Sequence, residues 1–288
     1  MAKQAKTKPR LLAKDYKSHV KPTWCPGCGD FGVLASLYQA MSRMELDPAS
    51  TVVVSGIGCS SRLPFFVRTY GFQTAHGRVL PVASGVKIAN PDLTVIAVGG
   101  DGDGFSIGGN HLAHAVRRNP NLTYVVMDNE VYGLTKGQTS PTSPVGFKTK
   151  STPYGSSDAP INPMAWALAS GVSFAARGFS GDPKQVTDLI VSGIEHPGFA
   201  FIQVMSPCPT FYNTFDLWRP KIEALPEGYN PGDRMQALGQ AFRDDAIPVG
   251  VLYREERHTL DSHTHVTAHP LKDGTEDFDV KSLLEIYR

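Results

Sequence analysis

Two oxygen-bearing side chains, Asp101 and Asn129, each stand just beyond a short apolar run, and that placement suits a divalent cation. Asp101 lies in the glycine-rich turn Gly99 to Gly104, which reads Gly-Gly-Asp-Gly-Asp-Gly. A glycine turn that enters a helix offers backbone N–H groups and a positive dipole end, which favour a phosphate. Asp101 and Asp103 in the same turn would repel a bare phosphate. A cation bridging carboxylate and phosphate removes the conflict, and Mg²⁺ commonly takes one or two carboxylates plus phosphate oxygens. Asp101, the Asn129 amide oxygen and a backbone carbonyl just beyond it form such a hard-ligand set. The dinucleotide fingerprint fails, because neither Gly100-Asp101-Gly102 nor Gly102-Asp103-Gly104 has glycine three residues later. The competing reading is a structural turn with solvated acids.

The four cysteines are the second chemical feature: Cys25 and Cys28 in a Cys-x-x-Cys knuckle, Cys59 in Gly56-Ile-Gly-Cys-Ser-Ser61, and Cys208 in Ser206-Pro-Cys208. A lone Cys-x-x-Cys fits a redox pair, a zinc knuckle or an iron–sulfur ligand pair. Cys59 and Cys208 also lie in Gly- or Pro-rich loops after apolar strands. Four thiolates suit tetrahedral zinc or an iron–sulfur cluster, and ligand type alone does not separate the two. One close pair plus two distant singles departs from the two pairs of a zinc ribbon. Unliganded cysteines are the remaining reading.

These residues must be positioned by strands and helices. Leu93 to Val98 and Leu122 to Met127 read as buried strands, with a helix over Ser106 to Arg118 between them and Asn119-Pro120-Asn121 as its stop. Strand, helix, strand implies a parallel crossover, which brings Asp101 and Asn129 to one sheet edge, where open α/β sheets bind ligands. Helices are further expected over 31–44, within 74–90, over 163–170, 183–195 and 235–242, and strands over 51–54, 172–176, 199–204 and 249–253. The class is therefore α/β, a mostly parallel sheet with helices on both faces and no internal repeat. Residues 139–158 form a long Ser-, Thr-, Pro- and Gly-rich loop beside the site, and long ordered loops are often functional. We divide the chain into an N-terminal arm (1–22), a central domain (23–215) and a C-terminal extension (216–288).

Composition sets the bounds. A 288-residue chain with 41% apolar and 19% charged residues can bury one sizeable core with extensions, or two small domains. A net charge of +1 gives no reason to expect a nucleic acid or a membrane surface, and no apolar run approaches the ~18 residues of a membrane span. The basic N-terminus lacks the apolar core of a secretory signal, so a cytoplasmic location is the expectation, with thiols rather than disulfides. The arm carries Lys3, Lys6, Lys8, Arg10, Lys14, Lys17 and Lys21 and reads as a mobile solvated tail, or as an arm packed on a partner. His258, His263, His265 and His269 fit a polar surface tail, or a metal site of no known spacing.

Gly-Asp-Gly followed after a gap by Asn resembles the thiamine diphosphate motif. Together with the cysteines it closely resembles the β subunit of 2-oxoacid:ferredoxin oxidoreductases, of the 2-oxoglutarate type. The matching phrases are Trp24 to Gly29, Gly56 to Ser61, His76-Gly77-Arg78, Gly100 to Asp103, Gly133 to Gln138 and Ser206 to Cys208, with a weaker match over Leu252 to Arg257. The resemblance covers about Thr23 to Asn213. It implies the thiamine-diphosphate-binding fold with added iron–sulfur loops. It assigns Mg²⁺ to Asp101, Asn129 and the Val131 carbonyl, and one [4Fe–4S] cluster to Cys25, Cys28, Cys59 and Cys208. Cofactor contacts fall on Ile57, Gly58, Cys59, Ser60, His76, Ser84, Gly102, Asp103, Gly133 and Leu134, and substrate contacts on Arg62, Leu134 and Lys136.

The reaction implied is thiamine-dependent oxidative decarboxylation of a 2-oxoacid to acyl-CoA and CO₂, with electrons passing through the cluster to ferredoxin. The direction of turnover stays open. The glutamate that activates the cofactor belongs to a separate module; Glu45 and Glu195 sit in no loop placed at the cofactor. The resemblance therefore implies an α subunit that brings this glutamate and the coenzyme A site, in an (αβ)₂ heterotetramer. A guanidinium at Arg62 and a second cation at Lys136 favour 2-oxoglutarate, with its two carboxylates, over pyruvate. The rival readings are pyruvate or broad 2-oxoacid specificity, a zinc-stabilised thiamine-dependent decarboxylase or synthase subunit, and an electron-transfer protein with a structural Mg²⁺ site.

Overall fold

A computed structural model describes residues 10–263. Ten strands run in chain order: β1 Thr51–Ser55, β2 Tyr70–Gln73, β3 Thr94–Gly100, β4 Leu122–Asp128, β5 Val131–Tyr132, β6 Gln138–Thr139, β7 Phe174–Phe179, β8 Phe199–Met205, β9 Ile222–Ala224 and β10 Ile247–Arg254. The α-helices are α1 Asp30–Arg43, α2 Val79–Ala89, α3 Asp101–Phe105, α4 Gly109–Arg118, α5 Pro163–Ala169, α6 Pro183–Glu195, α7 Phe215–Trp218, α8 Arg234–Ala241 and α9 Leu260–His263.

Eight strands form one sheet in the order β2-β1-β3-β4-β8-β7-β10-β9. The six from β2 to β7 are mutually parallel, while β10 pairs antiparallel with β7 and parallel with β9. The mostly parallel α/β expectation holds. Alternation along the strands splits the core into two layers. Val52, Val54, Val95, Ala97, Tyr124, Val126 and Phe201 face α2, α4, α5 and α8. Val53, Ile96, Val98, Val125, Met127, Ile202 and Val204 face α1 and α6. A strand buried on both faces reads as a continuous apolar run, as β3, β4 and β8 do.

Local chemistry sets several boundaries. Asp182 accepts the Gln185 N–H ahead of α6, whose first residue is Pro183; Asn162 caps α5 in the same way ahead of Pro163. Asn119 ends α4 in the left-handed region at φ 54°. The helix expected over 106–118 begins at Gly109, and the glycine-rich stretch before it, expected as a turn, forms the short helix α3 from Asp101. Ile107 recurs with Leu112, Ala115 and Val116 at helical spacing in the sequence, yet is 53% exposed in the gap between α3 and α4. The break lets Gly108 pass closely under Gly77: a Cβ on Gly77 would lie 2.6 Å from the Gly108 backbone nitrogen. Glycines at 104, 108 and 109 weaken helix propensity there.

The described part of the N-terminal arm is not a solvated tail. Ala13–Tyr16 is a 3-10 turn, Tyr16 is fully buried with its hydroxyl donating to the Leu46 carbonyl, and Lys17 bridges Val67. Lys3, Lys6 and Lys8, and His265 and His269, lie outside the described residues. Among those described, no helix is long and apolar enough to cross a membrane.

Candidate active site

The sheet order places β1 and β3 side by side, although the chain passes through β2 between them, so a crevice opens beyond their carboxyl ends. A cavity of about 480 Å³ lies there, between the loop after β1, the short helix α3 and the segment after β4. Ile57, Gly58, Cys59, Ser60, His76, Asp101, Gly102, Asp103, Asn129, Val131, Gly133 and Leu134 all line it. Gly100, Tyr132, Thr135, Gln138 and Thr139 complete the wall, although none of them was assigned a contact from the sequence. Arg62, Ser84 and Lys136 are not among the lining residues. Ser84 is half-buried on α2, and Lys136 is exposed at φ 85°. The Arg62 N–H donates to the Cys59 carbonyl, on the loop that bounds the cavity.

Asp101 and Asn129 meet because β3 and β4 pair in register, with Gly100 opposite Met127. The Asn129 N–H lies 3.3 Å from Asp101 Oδ1, and the Asn129 side-chain oxygen accepts the Val131 N–H at 3.0 Å. Thr142, on the loop after β6, places its hydroxyl 3.0 Å from Asp101 Oδ2 and 3.0 Å from Asp128 Oδ1. Behind Asp128, Gln203 donates from Nε2 at 2.8 Å, and buried Arg177 donates to the Gln203 oxygen at 3.0 Å.

Burial raises the pKa of Asp101, and the neighbouring Asp128 carboxylate raises it further. Asp128 is raised by burial, opposed by Gln203 and Thr142. Glu130 is pushed to about 9 by burial and then by both aspartates. Three carboxyls stand together, and Arg177, itself lowered to about 10 by burial, acts on Asp128 from behind. The Thr142 hydroxyl has one proton and two carboxylate neighbours. The second contact therefore needs a proton on a carboxyl or a cation beside the pair. A divalent cation fits this donor set of carboxylate, amide oxygen and carbonyl.

Asp103 has a different role from Asp101. Its Oδ1 accepts the Ile57 N–H at 2.9 Å and the Gly77 N–H at 2.7 Å, and His76 Nδ1 lies 2.9 Å away. One buried carboxylate oxygen thus ties the loop after β1 to the loop before α2. A Cβ on Gly56 would come within 1.9 Å of Asp103 Oδ2, and one on Gly102 within 2.3 Å of the Tyr132 ring. These glycines let the Asp103 carboxylate and the Tyr132 ring pack directly on backbone at the crevice, and Tyr132 donates to the Gly102 carbonyl at 3.0 Å.

The four cysteines approach the same crevice from three loops. Cys59 lines the cavity, and a Cβ on Gly133 would sit 3.4 Å from Cys59 Sγ and 3.9 Å from Cys208 Sγ. The knuckle is tied to the Cys208 loop twice: the Gly29 N–H donates to the Pro207 carbonyl at 3.1 Å, and the Ser206 hydroxyl to Asp30 at 2.7 Å. The Trp24 indole N–H donates to the Cys59 carbonyl at 2.7 Å. Burial raises the Cys28 thiol, with further contributions from Asp30, Cys208 and Cys59, and burial pushes Cys59 to about 11 with help from Asp30, Cys208 and Cys25. These mutual effects mark thiols gathered in one region, where a cationic iron or zinc centre would draw them to thiolates. All four are free, and among the described residues no three His, Cys, Asp or Glu side chains surround the position of a single ion.

Comparison with known proteins agrees with this geometry. Residues 56–204 match the family described as thiamine pyrophosphate enzyme, C-terminal TPP binding domain, and residues 208–269 match the family of the C-terminal part of the pyruvate ferredoxin oxidoreductase beta subunit. The chain is 43% identical over 253 residues to 2-oxoacid:ferredoxin oxidoreductase 2, subunit beta, of Aeropyrum pernix, covering 83% of this chain and 82% of that one. It is 45% identical over 207 residues to 2-oxoglutarate oxidoreductase subunit KorB of Mycobacterium tuberculosis, covering 72% of this chain and 56% of that one. A solved structure of 2-oxoglutarate:ferredoxin oxidoreductase from Magnetococcus marinus, with 2-oxoglutarate, coenzyme A and succinyl-CoA bound, superposes with a TM-score of 0.90 at 43% identity over 96% of both chains. With the motif-bearing loops set on a shared sheet, this chain belongs to the 2-oxoacid:ferredoxin oxidoreductase family as a β subunit.

Proposed function

We propose that this β subunit holds thiamine diphosphate in the crevice beyond β1, β3 and β4, and a [4Fe–4S] cluster beside it, within an enzyme that oxidatively decarboxylates 2-oxoglutarate to an acyl-CoA. The observation that carries the reading is the convergence of Asp101 and Asn129 on a cavity that Cys59 also lines. Asp101, the Asn129 amide oxygen and the Val131 carbonyl would hold Mg²⁺ against the diphosphate. Cys25, Cys28, Cys59 and Cys208 would hold the cluster. One close cysteine pair plus two distant single cysteines departs from the two pairs of a zinc ribbon and favours a polynuclear group. Bound together, the two groups supply an electron sink for loss of CO₂ and a one-electron acceptor for the oxidation that follows.

The chain's own residues place and shield these groups. Asp103 fixes the loop after β1, so that Ile57 to Ser60, the segment that carries Cys59, line the cavity. Tyr132, Leu134 and Ile57 give the cavity a partly apolar wall, which would exclude water and strengthen electrostatic contacts once a partner covers the open side. Contacts from Leu134, Arg62 and Lys136 to substrate depend on the partner closing over the open side, since Arg62 and Lys136 stand outside the cavity wall as it is here. The preference for 2-oxoglutarate over pyruvate is supported by the KorB relative and by the substrate in the Magnetococcus marinus structure. An α subunit would bring the activating glutamate and the coenzyme A site, in an (αβ)₂ assembly. Ferredoxin would take the electrons in the cytoplasm.

The test is anaerobic purification of the chain with its co-purifying partner, followed by iron, sulfide and thiamine analysis and assay with 2-oxoglutarate and pyruvate. The expected result is a brown complex with one [4Fe–4S] cluster per β chain and faster turnover of 2-oxoglutarate. Turnover by the isolated chain, or stoichiometric zinc in place of iron, overturns the reading.

A further inference from the structure

A second concavity, of about 590 Å³, lies on the α1 face of the molecule, away from the cofactor crevice. Its rim carries Lys14, Lys17, His19 and Lys21, and its floor includes Phe31 and Tyr38 of α1. No acidic side chain lines it, and among the described residues none of the three lysines has a carboxylate partner within 4.0 Å. Asp15, the nearest acid in sequence, is folded back onto the Leu12 N–H. The lysines and His19 are exposed, and Lys17 Nζ stands 6.0 Å from the centre of the Tyr38 ring. The chain as a whole has a net charge of only +1, so this positive rim is a local arrangement and not a consequence of a basic protein.

The groove adjoins the cysteines. Phe31, 38% exposed on the groove floor, meets the Trp24 ring edge-on at 5.4 Å, and Trp24 donates to the Cys59 carbonyl. From Lys21 the chain runs through Pro22, Thr23 and Trp24 directly into exposed Cys25. The Trp24–Phe31 pair thus joins a basic, partly apolar recess to the loop that carries Cys59. A surface of this kind, a cationic rim round a small apolar floor, suits an anionic protein that docks briefly, because rim charges steer encounter and the small apolar contact permits release.

We infer that the groove bounded by Lys14, Lys17, Lys21 and Phe31 is where an acidic iron–sulfur electron-carrier protein docks to collect electrons from the cluster. This rests on the cluster reading above. Each docking event passes one electron: the cluster is oxidised by one, the carrier's centre is reduced by one, and no bond forms or breaks.

The experiment uses the complex with its α subunit and a 2[4Fe–4S] ferredoxin of net negative charge, with benzyl viologen as a small acceptor that needs no docking surface. The variant is Lys14→Glu/Lys17→Glu/Lys21→Glu. The expected result is a KM for ferredoxin raised at least tenfold and no longer rising with ionic strength, with the viologen rate and iron content unchanged. An unchanged KM for ferredoxin overturns the inference. Release of the α subunit on gel filtration also overturns it, since the groove would then be a subunit interface. A wild-type complex that lacks iron, or reduces viologen with no 2-oxoacid, refutes the functional reading instead.

Discussion

The Thr142 hydroxyl stands 3.0 Å from a carboxylate oxygen of Asp101, and the same hydroxyl is 3.0 Å from Asp128. It thereby joins an otherwise aperiodic loop to the residue best placed to hold a cation. Thr142→Val keeps the shape and removes the donor. A lost hydrogen bond to a buried charged group costs about 1.5–3 kcal/mol, or roughly ten- to a hundred-fold in affinity. We expect Mg²⁺-dependent thiamine diphosphate binding, followed by titration calorimetry, to weaken by that factor in Thr142→Val and to recover in Thr142→Ser.

Asp101→Ala removes the carboxylate itself. Retention of thiamine diphosphate through gel filtration should be lost, while iron content and the visible spectrum persist, because the thiol loops are tied by Ser206, Asp30 and Gly29 and not by Asp101. Tight retention in this variant would move the role to another carboxyl of the site.

Cys208 is the most buried of the four thiols and is carried by the loop that Gly29 and Asp30 tie to the knuckle. Cys208→Ser should lose or destabilise the cluster, seen as reduced iron per chain and a diminished EPR signal after dithionite reduction. A full signal with unchanged iron would show that Cys208 is no ligand.

Arg62 and Lys136 stand near the cavity without lining it. Arg62→Met and Lys136→Met in the assembled complex, each assayed with 2-oxoglutarate and pyruvate, locate the residue that reads a second carboxylate. Loss of one charge-assisted contact should lower kcat/KM roughly ten- to a hundred-fold for 2-oxoglutarate and spare pyruvate. An equal loss with both acids would limit the residue to the carboxylate they share, or to loop support.

His196 gives a pH signature independent of any cofactor. It is 1% exposed, its Nε2 lies 2.9 Å from the Ser173 hydroxyl, and burial, with Arg254 and Arg257, lowers its pKa from 6.5 to about 4. The folded imidazole stays neutral where the unfolded one takes up a proton, so the unfolded state gains protons as pH falls from 6.5 to 4. Stability should fall across that window, by up to about 3 kcal/mol, and level off below it. His196→Asn should flatten the slope of Tm against pH between 4 and 6.5. An unaltered slope would place the titration elsewhere.

The features legible in the sequence were those set by local chemistry. The α6 helix over Pro183–Glu195 follows from Asp182 and Pro183 at its start, and Asp101 and Asn129 fall at strand ends because the apolar runs before them stop there. Residue type and spacing also carried the four cysteines, since a Cys-x-x-Cys and two loop cysteines are read without knowing their distances. Tertiary structure decided what depends on contacts between distant segments. Thr142 lies in a loop with no period, and only the closing of that loop over β3 and β4 shows that its hydroxyl serves two aspartates. Tyr16 sits in a lysine-rich stretch that reads as solvated, yet it is buried because α1 and the loop after β1 offer it a pocket. Ile107 follows helical spacing and is exposed, because the close approach of Gly77 and Gly108 breaks the helix. Hydrophobic period and capping act over a few residues and can be read along the chain, whereas pairing across the sheet and loop closure depend on which distant segments come together in the folded core.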